Sequence, residues 1–303
     1  MSSSNLLLSP LNKFHLRHSA KMVNFCGWSL PVSYDHSLSL RESTVHTRSP
    51  GKASLFDVSH MGQILLRGPD RGELVARASV CNVDKLDEYS GTLSVLLNRR
   101  KGGGIIDDAI VNRHPDYLYM VVNGGNRTKD LAHLHECAAG LDVSITMLET
   151  EGLVALQGPG SEAIVSQHVA EVPPTFMRSA VTTWDGKFPV IITRCGYTGE
   201  DGFEISADES NIETVANALV DNHPDAVALA GLGARDALRI EAGLCLYGHE
   251  LNEDIGVVDA GLKWTVQTEE TMPLRDTGVR RAGFVIASGA IARGGEPLVD
   301  LES

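Results

Sequence analysis

The chain has 303 residues, 43% of them hydrophobic and 21% charged, and its formal net charge is −13. This composition is typical of a globular protein with one large domain or two ordinary ones. The negative charge argues against a nucleic-acid partner, which requires a basic surface to neutralise phosphates. No segment approaches about 18 consecutive apolar residues, so the sequence also predicts no membrane span.

The cysteine and histidine patterns argue against a metal centre. The five cysteines are odd in number and form no Cys-x-x-Cys pair, which favours a reducing compartment and disfavours a zinc or iron–sulfur site. His133 and His135 lie two residues apart on a predicted helix and therefore point in different directions. We predict no metal. The chain also lacks the Gly-x-Ser-x-Gly, His-Glu-x-x-His and Gly-x-Gly-x-x-Gly motifs, which removes support for serine hydrolase, zinc protease and dinucleotide-binding functions.

Residues 63–139 carry a strand, a helix, three strands and a second helix, in that order. Leu93, Val95 and Leu97 alternate with polar neighbours, as in a half-buried strand, and Asp70 is suited to cap the first helix. The predicted elements cover residues 63–68, 70–81, 92–98, 105–112, 117–123 and about 127–139.

Residues 152–222 repeat this order without repeating the residue identities. Asp185 and Gly186 form the predicted turn of a hairpin. The predicted elements cover residues 153–157, about 162–169, 178–184, 188–195, 203–206 and 212–220. We therefore predict an α+β fold, built from a duplicated β-α-β-β-β-α unit with antiparallel sheets.

Two adjacent aspartates interrupt an apolar strand. Asp107 and Asp108 are flanked by Ile106 and Ala109, so in a buried strand each carboxylate must be paired, hydrogen-bonded or functional. The alternative is a pair at a turn edge that faces solvent. The residue pattern does not choose between the two aspartates.

A glycine-rich loop precedes a lone glutamate. Residues 196–202 contain three glycines, which permit backbone geometry that is closed to other residues. Glu204 is out of phase with Phe203 and Ile205 and therefore leaves the opposite face of its strand. On this pattern alone, the loop is a tight hairpin and Glu204 lies on the surface.

Two arginines lie four residues apart on a predicted helix. Arg235 and Arg239 share one helix face, and Asp236 and Glu241 can pair with them. The local pattern favours a solvated, salt-bridged face over an anion-binding site.

A series of short blocks resembles the T protein family of the glycine cleavage system. The blocks keep the family's order from about residue 9 to residue 264. They lie at residues 21–23, 27–32, 54–61, 91–94, 107–108, 121–123, 156–159, 194–204, 234–243 and 246–248.

The resemblance implies a tetrahydrofolate-dependent aminomethyltransferase. Such enzymes take an aminomethyl group from the lipoyl arm of the H protein, release ammonia and form 5,10-methylenetetrahydrofolate. Tetrahydrofolate is then the cosubstrate and lipoylated H protein the partner. The alternative is a catalytically impaired folate-binding or regulatory protein of the same family.

The same resemblance assigns residues. Asp108 matches the key carboxylate near the reacting folate nitrogens, and Glu204 matches the pterin-binding carboxylate, which suits the adjacent N–H donors of a pterin edge. Arg235 matches the folate-contacting arginine, whose guanidinium suits the carboxylate end of folate. Matches to the pocket lining are Met61, Asn123, Tyr197 and Trp264.

The resemblance also implies a domain organisation. Residues 1–278 form the folate-binding region, with subdomains at about 52–150 and at 1–51 plus 151–278. Residues 279–303 match only the start of the family's C-terminal β-barrel, so we expect a truncated remnant of that domain there.

The N-terminal stretch has two interpretations. No acidic residue precedes Asp35, and Lys13, Arg17 and Lys21 lie among serines, as in organellar transit peptides. The family resemblance from Ser9 onward favours the folded domain instead, which leaves eight residues for targeting. The family is mitochondrial in eukaryotes and cytoplasmic in bacteria, and the resemblance of residues 237–248 to eukaryotic members predicts the mitochondrial matrix.

Overall fold

Three β-sheets and seven α-helices make up the computed structural model, which describes residues 6–35, 37–99, 102–267 and 274–281. The strands are β1 (Leu7–Leu8), β2 (Ala20–Phe25), β3 (Trp28–Tyr34), β4 (Ala53–Asp57), β5 (Gly62–Arg67), β6 (Ser90–Asn98), β7 (Gly104–Arg113), β8 (Leu118–Val122), β9 (Ser144–Met147), β10 (Glu151–Gln157), β11 (Ser179–Trp184), β12 (Phe188–Thr193), β13 (Gly202–Asp208) and β14 (Val227–Leu229). The helices are α1 (Asn12–Arg17), α2 (Leu40–Arg48), α3 (Arg71–Ala78), α4 (Arg127–Cys137), α5 (Ser161–Val165), α6 (Glu209–Asp221) and α7 (Leu232–Glu241). None of the described helices has the length and apolar character needed to cross a bilayer.

The first large sheet has five antiparallel strands in the order β6-β7-β8-β5-β9. Side chains alternate between its faces, so every second residue of β7 points the same way. Ala109 and Val111 of β7 lie on the face that packs against α3 and α4, where they join Val75 and Leu134 in one buried cluster. These two helices therefore cover one side of the sheet.

The second large sheet has six strands in the order β11-β12-β13-β10-β4-β14. The short β14 pairs parallel to β4, and the other neighbours are antiparallel. Phe203 and Ile205 of β13 face a buried cluster that includes Ile164 of α5 and Val215 of α6. Helices therefore cover one side of this sheet too.

The remaining faces of the two large sheets pack against each other. Tyr119 and Val121 of β8 meet Leu153 and Ala155 of β10 in a third buried cluster, to which α7 contributes Leu238. Each sheet is thus covered on both sides, by helices outside and by the other sheet inside. A polar side chain on the inner face is consequently removed from bulk water even where the strand pattern alternates.

A small N-terminal sheet, in the order β1-β3-β2, packs beside the second large sheet. A buried hydrogen-bond network fixes it there. Tyr34 of β3 contacts His15 Nδ1 at 3.0 Å, and His15 Nε2 contacts the carboxylate of Asp57 at 2.7 Å. Asp57 also accepts hydrogen bonds from the Ser9 hydroxyl and from the Ser59 backbone N–H. These bonds tie residues near the N-terminus to the end of β4.

The predicted α+β class with antiparallel sheets is confirmed. Element type and order agree with the prediction throughout residues 63–139 and 152–222, although the helix predicted at 162–169 is shorter, Ser161–Val165. The sequence pattern missed the short edge strands β9 and β14, which have few residues to show alternation. Of the predicted barrel remnant at 279–303, residues 282–303 lie outside the described part of the chain.

Candidate active site

The two adjacent aspartates of β7 point to opposite faces of the first sheet. Asp107 points toward α4 and is fully buried. Its carboxylate accepts hydrogen bonds from the backbone N–H of Asn123 at 3.0 Å and from the Asn123 and Asn126 side-chain amides at 2.9 and 2.6 Å. These three donors satisfy a charge that burial would otherwise make expensive.

Asp108 points to the inner face, which it shares with Ile110 and Asn112 further along β7. The Asn123 amide donates to Asp108 Oδ1 at 2.8 Å, so one asparagine bridges both aspartates. Burial, followed by the negative charge of Asp107, raises the pKa of Asp108 to about 7, and the Asn123 hydrogen bond opposes that rise. A carboxyl group with this pKa exchanges its proton near neutral pH.

A third buried carboxyl group lies behind this pair on α4. Asp130 has no exposed surface, and no described N–H or hydroxyl group donates to its oxygens, but its carboxyl group shares a hydrogen bond with that of Asp107. Burial and the neighbouring Asp107 raise its pKa to about 10. A protonated Asp130 can donate its O–H to the Asp107 carboxylate.

The glycine-rich loop is held by the side chain of Gln157. Its amide donates to the Cys195 carbonyl at 3.0 Å, and its oxygen accepts from the Thr198 hydroxyl at 3.0 Å. A Cβ at Gly196 would lie 1.9 Å from Gln157 Oε1, and one at Gly202 would lie 2.3 Å from Nε2. Close approach to Gln157 therefore requires glycine at both positions, in addition to the hairpin geometry predicted from the sequence.

The loop presents Tyr197 to Arg235 of α7. The Arg235 guanidinium carbon lies 4.7 Å from the centroid of the Tyr197 ring, within cation–π range. Arg235 Nη1 is buried and lacks a hydrogen-bond partner among the described residues. The predicted pair of Arg239 with Asp236 is present, but Arg239 is buried and its second partner is Glu250, because Glu241 pairs with Arg48. The predicted solvated face is therefore wrong for Arg239, and Arg235 points inward toward Tyr197.

Glu204 of β13 lines a narrow cavity between the two large sheets. The cavity is too narrow to admit a water molecule, and its polar lining includes Asn112 and Tyr119 from the first sheet and Cys195 and Glu204 from the second. Burial raises the pKa of Glu204, while the positive charge of Arg235 and a hydrogen bond with Cys195 oppose the rise. The predicted strand phase was correct, because Phe203 and Ile205 occupy the opposite face. The predicted surface position was wrong, because the other sheet covers this face.

Two of the seven predicted site residues stand farther from this arrangement. Met61 is partly buried and packs against the apolar cluster between the sheets. The Trp264 side chain is 66% exposed on a short 3₁₀ turn, and no hydrogen bond or ring contact links it to the other predicted residues in the described part of the chain. The structure brings together Asp108, Asn123, Tyr197, Glu204 and Arg235.

Four residues of the arrangement had no predicted role. Asn126 could have been found from its position three residues after Asn123, at the start of a predicted helix. Gln157 lies inside the block at residues 156–159, which carries the family resemblance but suggests no role for this residue. Asp130 and Asn112 are not marked by any sequence pattern. Their importance depends on which side chains the tertiary structure leaves buried.

These features define a class of protein: an α+β fold with two face-packed sheets, whose interior holds two carboxyl groups and a guanidinium. Among the residues that the structure describes, no group of three or more His, Cys, Asp and Glu side chains is arranged to hold a metal ion.

Comparison with known proteins agrees with this class. The family model described as the GCVT N-terminal domain matches residues 11–270. The mitochondrial aminomethyltransferase of Dictyostelium discoideum is 41% identical over 282 residues, covering 88% of this chain and 68% of that protein. The mitochondrial aminomethyltransferase of Mus musculus is 41% identical over 316 residues, covering 97% of this chain and 76% of that protein.

A solved structure shows the same similarity. The glycine cleavage system aminomethyltransferase T from Bartonella henselae superimposes with a TM-score of 0.78 and 37% identity, covering 86% of this chain and 69% of that one. The chain therefore belongs to the glycine cleavage T protein family, and its function is that of an aminomethyltransferase. It spans about two thirds to three quarters of the length of these relatives.

Proposed function

We propose that this chain transfers the one-carbon unit of an aminomethyl group, carried on lipoylated H protein, to tetrahydrofolate. In this reaction the methylene carbon leaves the lipoyl sulfur and the amine and becomes bonded to N5 and N10 of the folate. The two folate nitrogens lose one proton each, and these protons end on the released ammonia and on the lipoyl thiol. The products are 5,10-methylenetetrahydrofolate, ammonia and dihydrolipoyl H protein.

The observation that supports the proposal is that Asp108 and Glu204 lie on the inner faces of the two packed sheets, with Arg235 and Tyr197 near enough for the charge of Arg235 to act on Glu204 and that of Asp108 on Tyr197. Asp108 lies one pleat, about 7 Å, before Ile110, which lines the cavity. A tetrahydropterin bound at Glu204 can therefore extend toward Asp108. The carboxylate of Asp108 would accept a hydrogen bond from a reacting folate nitrogen, and its pKa of about 7 suits proton transfer at neutral pH.

The other residues bind and orient the folate. Glu204 would accept hydrogen bonds from adjacent N–H groups of the pterin, since a carboxylate has only acceptors. Arg235, stacked on Tyr197, supplies the cation for an anionic part of folate, and its buried Nη1 has a free donor in the described structure. Asn123 orients Asp108. Met61 and Trp264 are proposed to line the remainder of the folate site.

The domain organisation is a proposal of the same kind. In the first sheet, β6, β7 and β8 lie in chain order and β8 pairs with β5, the strand that precedes α3. In the second sheet, β11, β12 and β13 lie in chain order and β13 pairs with β10, the strand that precedes α5. This shared order supports a duplicated unit. The proposed subdomains are residues 52–150 and residues 1–51 plus 151–278. Because the eukaryotic relatives are named mitochondrial, we place the chain in the mitochondrial matrix, with the cytoplasm as its location if the source is bacterial.

The test is tetrahydrofolate-dependent ammonia release from aminomethyl-loaded H protein. Asp108→Ala should lower turnover about 10²–10⁴-fold, the usual contribution of a positioned acid–base group. Asp116→Ala is the matched control, because Asp116 is an exposed aspartate in the turn that follows β7. Tetrahydrofolate binding without turnover by the wild-type chain would favour the alternative, a folate-binding or regulatory protein that lacks catalysis.

A further inference from the structure

Asp107 and Asp130 place two carboxyl groups in contact where neither is exposed to solvent. Both side chains have no exposed surface, and they share a hydrogen bond between β7 and α4. Two carboxylates cannot both be ionised at such a distance in a buried site, because their repulsion adds to the cost of burying each charge. One of the two therefore carries a proton, and that proton forms the shared hydrogen bond.

The donors around the pair decide which carboxyl group carries the proton. Asp107 accepts three hydrogen bonds, from the Asn123 backbone N–H and from the side-chain amides of Asn123 and Asn126. Asp130 accepts none from an N–H or hydroxyl group of the described residues. Hydrogen bonds donated to a carboxylate favour its ionised form, so Asp107 is the anion and Asp130 is the neutral acid.

The other charged groups near Asp130 do not reverse this assignment. Burial, the largest cause, raises the pKa of Asp130 to about 10, and the two aspartates of β7 add to the rise, whereas Lys129 on the same helix opposes it. The Lys129 ammonium, however, donates to the Tyr247 hydroxyl at 2.7 Å and lies 4.0 Å from the carboxylate of Glu253. The positive charge is thus directed to other partners, and Asp130 keeps its proton at neutral pH.

An ionised Asp107 fixes the direction of the Asn123 amide. The side-chain nitrogen of Asn123 donates to Asp107 Oδ1 at 2.9 Å and to Asp108 Oδ1 at 2.8 Å. A carboxylate has only acceptors, so the amide nitrogen must face Asp107. A protonated Asp107 could instead donate to the amide oxygen, and a reversed amide would no longer donate to Asp108.

We propose that Asp130 is a positioning residue for Asp108: as a neutral acid it donates its O–H to Asp107, which keeps Asp107 ionised and the Asn123 amide directed at Asp108. Asp130 belongs to α4, on the helix side of the first sheet, whereas Asp108 points to the inner face. It therefore acts through Asp107 and Asn123, and its proton stays in place during the reaction. The inference rests on the proposed function, in which the position of Asp108 matters.

The first measurement is the infrared spectrum of the full chain at neutral pH. A buried neutral carboxylic acid has a C=O band separate from the bands of carboxylates and peptide groups, and Asp130→Asn should remove one such band. Asp142→Asn, at an exposed position after α4, is the matched control and should leave that band in place. A spectrum in which Asp130→Asn removes no acid band would overturn the assignment.

Kinetics of tetrahydrofolate-dependent ammonia release test the positioning role. Asp130→Leu removes the donor at similar volume and should lower kcat about tenfold, the size of one hydrogen bond, with the KM for tetrahydrofolate unchanged. Asp130→Asn supplies an N–H donor in place of the O–H and should recover most of that loss. Because asparagine is also neutral, the pH dependence of kcat/KM should stay where it is in the wild type.

The outcomes separate this role from the alternatives. If Asp130 were ionised, its removal in Asp130→Asn would lower the pKa of Asp108 and move the pH profile, and that shift would overturn the proposal. An unchanged kcat in a folded Asp130→Leu variant would overturn it too. If the leucine variant does not fold, the pH profile of the asparagine variant decides. A wild-type chain without turnover would instead refute the proposed function, so the two failures can be told apart.

Discussion

Asp108 and Glu204 are both carboxyl groups on the inner faces of packed sheets, yet their surroundings differ in sign. Burial raises the pKa of each. At Asp108 the second contribution comes from the negative charge of Asp107, which raises the pKa further. At Glu204 it comes from the positive charge of Arg235, which opposes the rise.

This difference shows how the space between two packed sheets can hold two carboxyl groups that differ in how readily they ionise. A carboxyl group beside another acid holds its proton more tightly and suits proton exchange, whereas one beside a guanidinium is favoured as an anion and suits recognition of N–H donors. The neighbouring charges, and not the residue type, set this difference in pKa. Substitutions of the carboxyl groups and of their neighbours, one at a time, test this difference.

The largest effect in this comparison is expected from Glu204→Gln. The variant keeps the shape of the side chain and loses the charge, so the Kd for tetrahydrofolate should rise about thirtyfold, corresponding to about 2 kcal/mol for a hydrogen bond to a charged group. Turnover at saturating tetrahydrofolate should change little, in contrast to Asp108→Ala. Isothermal titration and steady-state kinetics give the two numbers. A loss confined to kcat would contradict the proposed division.

A smaller effect is expected from Asp107→Asn, which removes the negative neighbour of Asp108. The pKa of Asp108 should fall, because less charge opposes its ionisation. If the ionised form is the active one, kcat/KM in the wild type rises with pH and levels off above about 7, and in the variant this limb moves to lower pH by about one unit. A pH–rate profile measures the shift. An unmoved limb, with the fold intact, would show that Asp107 does not set the pKa of Asp108.

The smallest effect is expected from Asp130→Asn and concerns stability. The folded-state pKa of about 10 lies above the value of about 3.9 for an unfolded aspartate, so between these values the native state keeps a proton that the unfolded state has lost. Stability from this group is therefore greatest at low pH and falls as pH rises.

Asparagine is neutral at every pH, so the variant should flatten the fall of Tm between pH 5 and 8 and be more stable than the wild type at pH 8. Asp142→Asn, at an exposed aspartate that follows α4, is a suitable comparison, since its own side chain lies outside the buried cluster. A variant with the same slope as the wild type would mean that Asp130 is ionised in the folded protein.

Much of the fold could be predicted from local patterns. The alternation at Leu93, Val95 and Leu97 places β6, and the turn at Asp185 and Gly186 places the hairpin of β11 and β12. Alternation and turn residues are local properties, so they can be recognised in a single sequence. The short β9 and β14 cannot be recognised in this way, because three or four residues carry no periodic signal and pairing at a sheet edge is decided by distant strands.

Less of the site than of the fold could be predicted from the sequence. The sequence by itself determined that Glu204 leaves the strand face opposite Phe203, because side chains alternate along a strand. It also showed that Asp107 and Asp108 interrupt an apolar strand, without choosing between them. Family resemblance selected Asp108, Glu204 and Arg235. Only the tertiary structure decided which of these faces is covered, because packing one sheet against another turns an apparently solvent-facing row into the lining of a cavity. Burial of Asp130 and the unpartnered amide of Asn112 arise in the same way, from contacts between elements that are distant in sequence.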